Sequence, residues 1–519
     1  MHDPFLLTTM HAAADRLAFA IRHNEPILLY GDYDVDGTSA LVVLKKTIDL
    51  AGGLATCFVP HRLRDGYGMK AEVVEDATAQ GVRLIISVDT GIRANDVVKH
   101  AAGLGIDVVV TDHHLPDDAL PEALAVVNPN RADCAYPEKN LCGAGVALKL
   151  ADALMRVLDW DTARRERLLD SFLKIVAIAT VADVVPLTGE NRVIVKRGLQ
   201  GLRSVNNPGL RALLDVSGIE AGKVPSVRDV AFGVAPRINA AGRMASANDV
   251  VELFTTHDTA RARAIAAQLH ELNADRRQTQ DGIWKTIFEQ CMAQPVTDDD
   301  SALVFAGEGW HRGVVGIVAS RVVERYHRPV FVLGLENGMA QGSGRSIRQF
   351  HLLEALESMA DLFSKFGGHR QAAGLTLASG RVAEFRERFR AYAASQLTPA
   401  DFEPELDIDA EIDLGDIDNQ TVAELLSLAP FGMGNPAPLF VGRGLEVLAQ
   451  DIRSEKHVFL RIRASGQTLR VKAWNFAGRA GEMLPGARID AVLQFEEDAY
   501  SAARGYPPWQ TVLRDLRVH

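Results

Sequence analysis

Residues 26–40 read PILLYGDYDVDGTSA. An apolar run, Ile27 to Tyr30, breaks at Gly31. Aspartates then fall at every second position, Asp32, Asp34 and Asp36, before Gly37 leads into a helix-like run. An apolar run without alternation suits a strand buried on both faces, as in a parallel sheet. Three carboxylates at the end of such a strand repel one another, and each is costly to bury unpaired. Something must compensate them.

Outward from this stretch the pattern repeats. ATCFV (55–59), RLIISV (83–88), DVVVT (107–111) and LAVVN (124–128) read as further strands, with helix-like segments such as 38–51 and 93–104 between them. This alternation predicts a doubly wound parallel-sheet α/β domain. Ligands of such sheets bind at the carboxyl ends of the strands. Three of those ends carry GDYDVDG, SVDTGI and VTDHH. Residues 190–290 read mostly as helices, and 259–292 as one long helix, a natural spacer between domains. TDDDS (297–301) marks a boundary. A second, smaller α/β unit follows over 302–395: strand ALVFAG, helix GVVGIVASRVVERY, strand PVFVLG, a Gly-rich stretch AQGSGRS, helix HLLEALESMA, and FGGHRQAAGLTL. After an acidic stretch (401–418), GLEVLAQDIR, HVFLRIRA, QTLRVKAWNF, RIDAVLQFEE and WQTVLRDLRVH alternate as strands of a small OB-like β-barrel.

Composition sets outer limits. A chain of 519 residues is too long for one core, so several domains are expected. With 47% hydrophobic and 24% charged residues it is an ordinary globular composition. No apolar run approaches the roughly 18–20 residues of a membrane helix. The N-terminus lacks a basic stretch followed by an apolar core and reads as an amphipathic helix rather than a signal peptide. Cys57, Cys134, Cys142 and Cys291 form no CxxC pair and read as free thiols of a reducing, cytoplasmic protein. A net charge of −11 argues against a general nucleic-acid coat but leaves room for a local basic channel.

The chemistry concentrates at the sheet's carboxyl edge. On extended backbone, Asp34 and Asp36, two apart, point to one side. Asp89 ends the third apolar run; Asp112, His113 and His114 end the fourth; Asp183 follows the apolar segment of ATVADVVPL. Oxygen-rich ligands with a little nitrogen suit Mn²⁺ or Mg²⁺ better than structural zinc. Two cations sharing a bridging carboxylate would neutralise the cluster and build a site for in-line attack on a phosphodiester. Any single aspartate after a strand is more often a helix N-cap or turn residue. Asp32, nearest the strand, best fits that plainer role. Adjacent histidines on extended backbone point in opposite directions, so His113 and His114 are not expected to serve one metal in the same way.

GDYDVDG, SVDTGI, TDHH and ATVADVVPL resemble the four motifs of the DHH phosphoesterase superfamily. APRINAAGRM (235–244), GEGWHRGVVGIVASRV (307–322), GSGRS (342–346), FGGHRQAAG (366–374) and APFGMGNPAP (429–438) narrow the resemblance to the RecJ family of bacterial single-stranded-DNA-specific 5′→3′ exonucleases. It runs from about residue 3 to the C-terminus and implies an α/β multidomain chain: a DHH catalytic domain (1–195), a helical connector with the long spacer helix (196–296), a DHHA1 substrate-binding domain (297–398) and an OB-like nucleic-acid-binding domain (399–519). The family often carries a further stretch before the segment matching DPFLLTTM, so Met1 reads as a shortened or engineered start.

The resemblance also implies roles. Asp34 and Asp89 would hold one metal, with Asp32 open between ligand and turn residue. Asp36, Asp89, His113 and Asp183 would hold the second, with Asp89 bridging. The cofactors would be two divalent cations, Mn²⁺ or Mg²⁺. His114 would meet the scissile phosphate, and Asp112 would orient the motif from behind. Arg345, His369 and Arg370 would face DNA across the interdomain cleft; Ser343 and Arg345, with Arg62 and Arg243, would anchor a 5′ phosphate. The implied partners are single-stranded DNA with a 5′ end, a single-strand-binding protein and a helicase, for a monomer acting in repair and recombination without a membrane. Tyr67 suits base stacking or turn packing equally. Trp310 suits core packing as well as a phosphate cradle, and Phe459 and Trp474 suit an OB groove or an ordinary barrel. A phosphodiesterase for short oligonucleotides or cyclic dinucleotides would need neither connector nor OB tail. A non-catalytic scaffold would not be expected to keep every acidic motif residue.

Overall fold

The computed structural model describes residues 1–62, 64–502 and 504–519, in two compact units: Met1–Asp183 with Val193–Pro404, and Val184–Arg192 with Glu405–His519. In the first unit the opening apolar run is strand β1 (Pro26–Tyr30). It is followed by helix α1 (Val35–Leu50) and strands β2 (Leu54–Phe58), β3 (Leu84–Val88), β4 (Asp107–Thr111) and β5 (Ala125–Val127). The order is β2-β1-β3-β4-β5, and every pairing is parallel. The chain leaves β1 toward β2 on one side and returns to β3 on the other, so the sheet's topological switch lies between β1 and β3, where such sheets bind ligands. Every residue of β3 is buried, as a strand covered on both faces requires. One face packs on Val74, Ala77, Val98 and Ala101 of the crossover helices. Helix α2 (Gly143–Val157), buried at nearly every position, packs against α1, β3 and β4.

Helix α3 (Thr162–Ala182) ends at Asp183. Helix α4 (Ala235–Met244) packs on α5 (Thr259–Ala293), which runs 35 residues unbroken, as its lack of proline allows. A second sheet follows: β6 (Leu303–Glu308), helix α6 (Val315–Tyr326), β7 (Val330–Glu336), β8 (Met339–Arg345), β9 (Phe363–Gly368) and β10 (Ala372–Ala378), in the order β6-β7-β8-β10-β9. Only β6 and β7 are parallel. The Gly-rich stretch AQGSGRS forms most of the central strand β8. A Cβ on Gly344 would lie 2.5 Å from the Phe331 ring, so close packing, not flexibility, excludes side chains there. FGGHRQAAGLTL divides between two antiparallel strands, β9 and β10.

The second unit carries β11 (Ala410–Glu411), β12 (Phe440–Arg453), β13 (His457–Ala464), β14 (Gln467–Ala473), β15 (Arg488–Glu497) and β16 (Trp509–Val518). The pairing β12-β13-β14-β16-β15 returns to β12 and closes a five-stranded barrel. Val458, Leu460 and Ile462 of β13 point into its core, the alternation visible in HVFLRIRA.

Candidate metal centre and anion pocket

The aspartates of GDYDVDG do not share one extended stretch: Asp34 is extended, but Asp36 already lies inside helix α1. Asp34 is the N-cap of α1, its Oδ1 accepting the N–H groups of Asp36 (2.9 Å) and Gly37 (3.0 Å). Asp36 sits in the first helical turn, where carboxylates are favoured by the helix dipole. The capping role expected of Asp32 therefore falls to Asp34. Asp32 is 5% exposed, and its Oδ1 has no hydrogen-bond partner. The chain can fold back over Asp32 because position 37 is glycine: a Cβ there would lie 2.6 Å from Asp32 N.

Asp89 takes φ 58° directly after β3, a left-handed conformation that Asp tolerates better than most residues. The N-terminus of α2 closes on it. There the N–H groups of Gly143 and Ala144 donate to the two carboxylate oxygens of Asp36, at 2.8 Å for Ala144. His113 Nε2 lies 3.1 Å from Asp89 Oδ1 and 3.7 Å from both Asp36 Oδ2 and Asp183 Oδ2. The two histidine rings do not diverge as extended backbone predicts. The chain bends at His114, the ring centroids are 4.4 Å apart, and His114 Nδ1 lies 4.0 Å from Asp89 Oδ1. Their surroundings still differ. His113 is largely buried among carboxylates, whereas the more exposed His114 is held through Nδ1 by Asp112 Oδ1 at 2.7 Å. Asp112 also accepts N–H groups from His113, His114 and Ile92.

Three groups of these side chains bring one ligand atom each within 4.8 Å of one another: Asp32–Asp34–Asp89, Asp36–His113–Asp183 and Asp89–His113–His114. Asp89 belongs to the first and third, and His113 links the second to it. Asp32 Oδ1, Asp89 Oδ1, Asp183 Oδ2 and His113 Nε2 are all buried without hydrogen-bond partners. Buried polar atoms are otherwise nearly always paired, so four orphans facing one another fit a cation site. The oxygen-rich donor set with imidazole suits Mn²⁺ or Mg²⁺.

Electrostatics agree. Burial, then the charge of Asp34, pushes Asp32 up to about 8; burial, then Asp36 and Asp34, pushes Asp183 up to about 9. Asp34 and Asp89 are raised by burial and by neighbouring carboxylates. Burial lowers His113, which favours the neutral imidazole that binds metals. Burial also opposes the charge on His114, but Asp112 and the acidic cluster outweigh it and raise its pKa. Asp112 is desolvated, yet its bonds from His114 and Ile92 and the charges of both histidines hold its carboxyl below the usual range.

A cationic pocket adjoins the cluster: Arg62 lowers the pKa of Asp32, and Asp34 raises that of Arg243. Arg243, at the end of α4, donates from Nη1 to Gly313 O at 2.8 Å. Burial and the charges of Arg62, Arg276 and Arg345 push it down to about 10. Ser343 and Arg345, at the end of β8, pack against Gly316 of α6, where a Cβ would lie 3.3 Å from Arg345 Nη2 and from Ser343 Cβ. Arg62 stacks over the Tyr33 ring at 4.9 Å. The structure thus gathers Arg62, Arg243, Ser343 and Arg345. His369 lines an open cleft of about 840 Å³ with Tyr67, Thr90, Asp112, His113 and His114. Arg370 is exposed, and its guanidinium donates to Arg348 O at 3.3–3.4 Å.

Tyr67 lies in a bend and is half exposed, with its hydroxyl 3.3 Å from His114 Nδ1 and 3.4 Å from Asp89 O. Trp310 packs, its indole filling the space beside Gly307. In the barrel unit, Phe459 and Trp474 meet edge-on at 5.8 Å, with Arg453 over Phe459. Sequence reading missed the supports. Asn128 and Asn130 donate to the carbonyls of His114 (2.8 Å) and His113 (2.6 Å), and Asn239 accepts the N–H of Val35. The asparagines of VVNPN follow β5 at the same sheet edge, which is the sign that could have found them.

A parallel sheet whose carboxyl edge gathers aspartates and the DHH histidines defines a DHH-family protein, and the DHH family N-terminal domain matches residues 26–180. The DHHA1 domain matches 299–395 and the RecJ OB domain 408–506. The chain is 39% identical to "Single-stranded-DNA-specific exonuclease RecJ" of Bacillus subtilis, over 95% of this chain and 61% of that protein. It is also 39% identical to the RecJ of Dickeya dadantii, over 89% of this chain and 83% of that one. RecJ of Thermus thermophilus in complex with Mn²⁺ superposes with a TM-score of 0.84 at 32% identity, covering 98% of this chain and 72% of that chain. The chain belongs to the RecJ family of exonucleases.

Proposed function

We propose that this chain is a divalent-cation-dependent exonuclease that degrades single-stranded DNA from its 5′ end and releases 5′-mononucleotides. The carrying observation is the juxtaposition of two opposite sites in one unit: a cluster of buried carboxylates and an imidazole with orphaned ligand atoms, beside a pocket of arginines. The resemblance to RecJ enzymes, among them structures named as complexes with Mn²⁺ and Mg²⁺, supports a cation in that cluster. When bound, a pair of divalent cations supplies the charge that neutralises a phosphodiester and activates water as its nucleophile. Asp32, Asp34 and Asp89 would hold one cation; Asp36, His113 and Asp183 would hold the other, with Asp89 between them.

The remaining steps belong to the chain's own groups. Asp112, ionised and acceptor-only, requires that His114 carry its proton at Nδ1. With its pKa raised, His114 becomes imidazolium readily and also presents a protonated Nε2 to phosphate oxygens. The N–H groups of Gly143 and Ala144 keep Asp36 aimed at the centre. Arg62, Arg243, Ser343 and Arg345 would hold a 5′-terminal phosphate, so that the next phosphodiester meets the cations. His369 and the exposed Arg370 would contact the strand from across the cleft. The barrel's aromatic and basic residues suit stacking on single strands.

Family membership supports a setting in DNA repair and recombination in the cytoplasm. The enzyme would act as a monomer on strands opened by a helicase, with single-strand-binding protein at hand. Among the described residues no helix is long and apolar enough to cross a membrane. The test is product analysis of 5′-phosphorylated single-stranded and blunt duplex DNA, with and without Mn²⁺. Mononucleotides released from the single strand only, and only with metal, are expected. Equal degradation of the duplex, or no release, would refute the proposal.

A further inference from the structure

Helix α5 packs along α4 and, further on, along α6. Its inward stripe is apolar at both ends: Ile265 and Leu269 on one side, Ile283 and Ile287 on the other. Between them, at the helical spacing where apolar residues would continue the stripe, stand buried Asn273 and half-buried Arg276 and Gln280. Arg276 Nε is buried and has no hydrogen-bond partner. Among the described residues no carboxylate lies within ion-pair distance of its guanidinium. Asp281, the acid whose charge it feels, is paired with Arg321 at 2.8 Å. The packing brings the pocket to it: α4, which carries Arg243, lies on α5, and Met244 beside Arg243 packs on the cluster that holds Ile283 and Ile287. The charges around Arg276 are therefore of its own sign, Arg277 and Arg243 among them. An inward-facing guanidinium with an unmet N–H among other guanidiniums is unfavourable until an anion arrives.

We propose that Arg276 is a further anchor for the 5′-terminal phosphate, completing with Arg62, Arg243 and Arg345 a site for a phosphate monoester dianion. This rests on the exonuclease reading above. Four guanidiniums exceed what one diester monoanion requires, and Arg offers the paired N–H groups that terminal phosphate oxygens accept. Arg276 therefore sets the preference for phosphorylated over hydroxyl 5′ ends.

The experiment is steady-state degradation of one single-stranded sequence bearing a 5′ phosphate or a 5′ hydroxyl, by wild type, Arg345→Ala, Arg276→Met and Arg276→Lys, with thermal midpoints recorded. Methionine continues the apolar stripe and should fold at least as well as arginine. Expected for Arg276→Met is an unchanged or higher Tm and a KM for the phosphorylated strand raised about tenfold, the loss of one charge-assisted contact. Its kcat and its use of the hydroxyl strand should stay near wild type, and Arg276→Lys should recover part of the preference. Retained preference in Arg276→Met, beside lost preference in Arg345→Ala, would overturn the role of Arg276 alone. Equal losses on both strands, or a lowered Tm with preference intact, would also overturn it. If wild type itself does not distinguish the two ends, the 5′-phosphate pocket falls, and the inference with it.

Discussion

Asp34 shows one carboxylate in two roles: its Oδ1 caps α1, and it also stands within ligand distance of Asp32 and Asp89. Spacing in the sequence exposed the cluster but could not tell cap from ligand, because the answer depends on where the helix begins. Asp89 is the more decisive residue, shared between ligand groups and set by a left-handed turn. Asp89→Asn should lower turnover roughly 10³-fold, the scale of losing several kcal/mol of electrostatic stabilisation, while single-strand affinity in EDTA stays within about threefold. Near-normal turnover would show that Asp89 is not shared between cations. The raised carboxylates carry a pH dependence as well. Asp32 and Asp183 move from 3.8 to about 8 and about 9, so the metal-free fold binds their protons more tightly than the unfolded chain does. Their contribution to stability is complete below pH 3.8 and is lost as pH rises through about 8 to 9. Cations compete with those protons, so the rise in Tm on adding Mn²⁺ should be larger at pH 8 than at pH 6. A rise equal at both pH values, read by calorimetry, would contradict the linkage.

Elements were legible where burial alone decides them. DVVVT is β4 at the expected residues, and the long helix differs by one residue at its end. They were not legible where composition answers to close packing. AQGSGRS shows only as a Gly-rich stretch in the sequence, because its glycines answer to the close approach of Phe331 and the backbone of β7. The N-terminus of α2 was invisible for the same reason. Gly143 is glycine because a Cβ would lie 2.6 Å from Asp89 Cβ, and its N–H serves Asp36 from more than 100 residues away in sequence. Gly143→Ala should displace Asp89 and loosen Asp36. Mn²⁺ affinity by titration calorimetry should fall roughly 10–100-fold, as for other supports of metal ligands. Stability should fall by about 1–3 kcal/mol. An unchanged Mn²⁺ affinity would show that the helix end does not position the centre.

At the scale of the molecule, the order of domains was legible because each announces itself differently: unbroken apolar runs, a long uninterrupted helix, then strict alternation. What the sequence withheld is how α4, α5, α6 and β8 converge: Arg243 and Arg345 stand out only through the resemblance, and Arg276 not at all, until packing gathers them. The proposed cleavage from the 5′ end would follow from that convergence lying beside the carboxylates. The most direct measurement is anomalous diffraction from crystals holding Mn²⁺ and a short 5′-phosphorylated strand, with turnover blocked by a non-hydrolysable first linkage. Two manganese peaks sharing Asp89, with the terminal phosphate on Arg243 and Arg345, are the expected result. Manganese away from Asp89, or a terminal phosphate outside the arginine pocket, would contradict it.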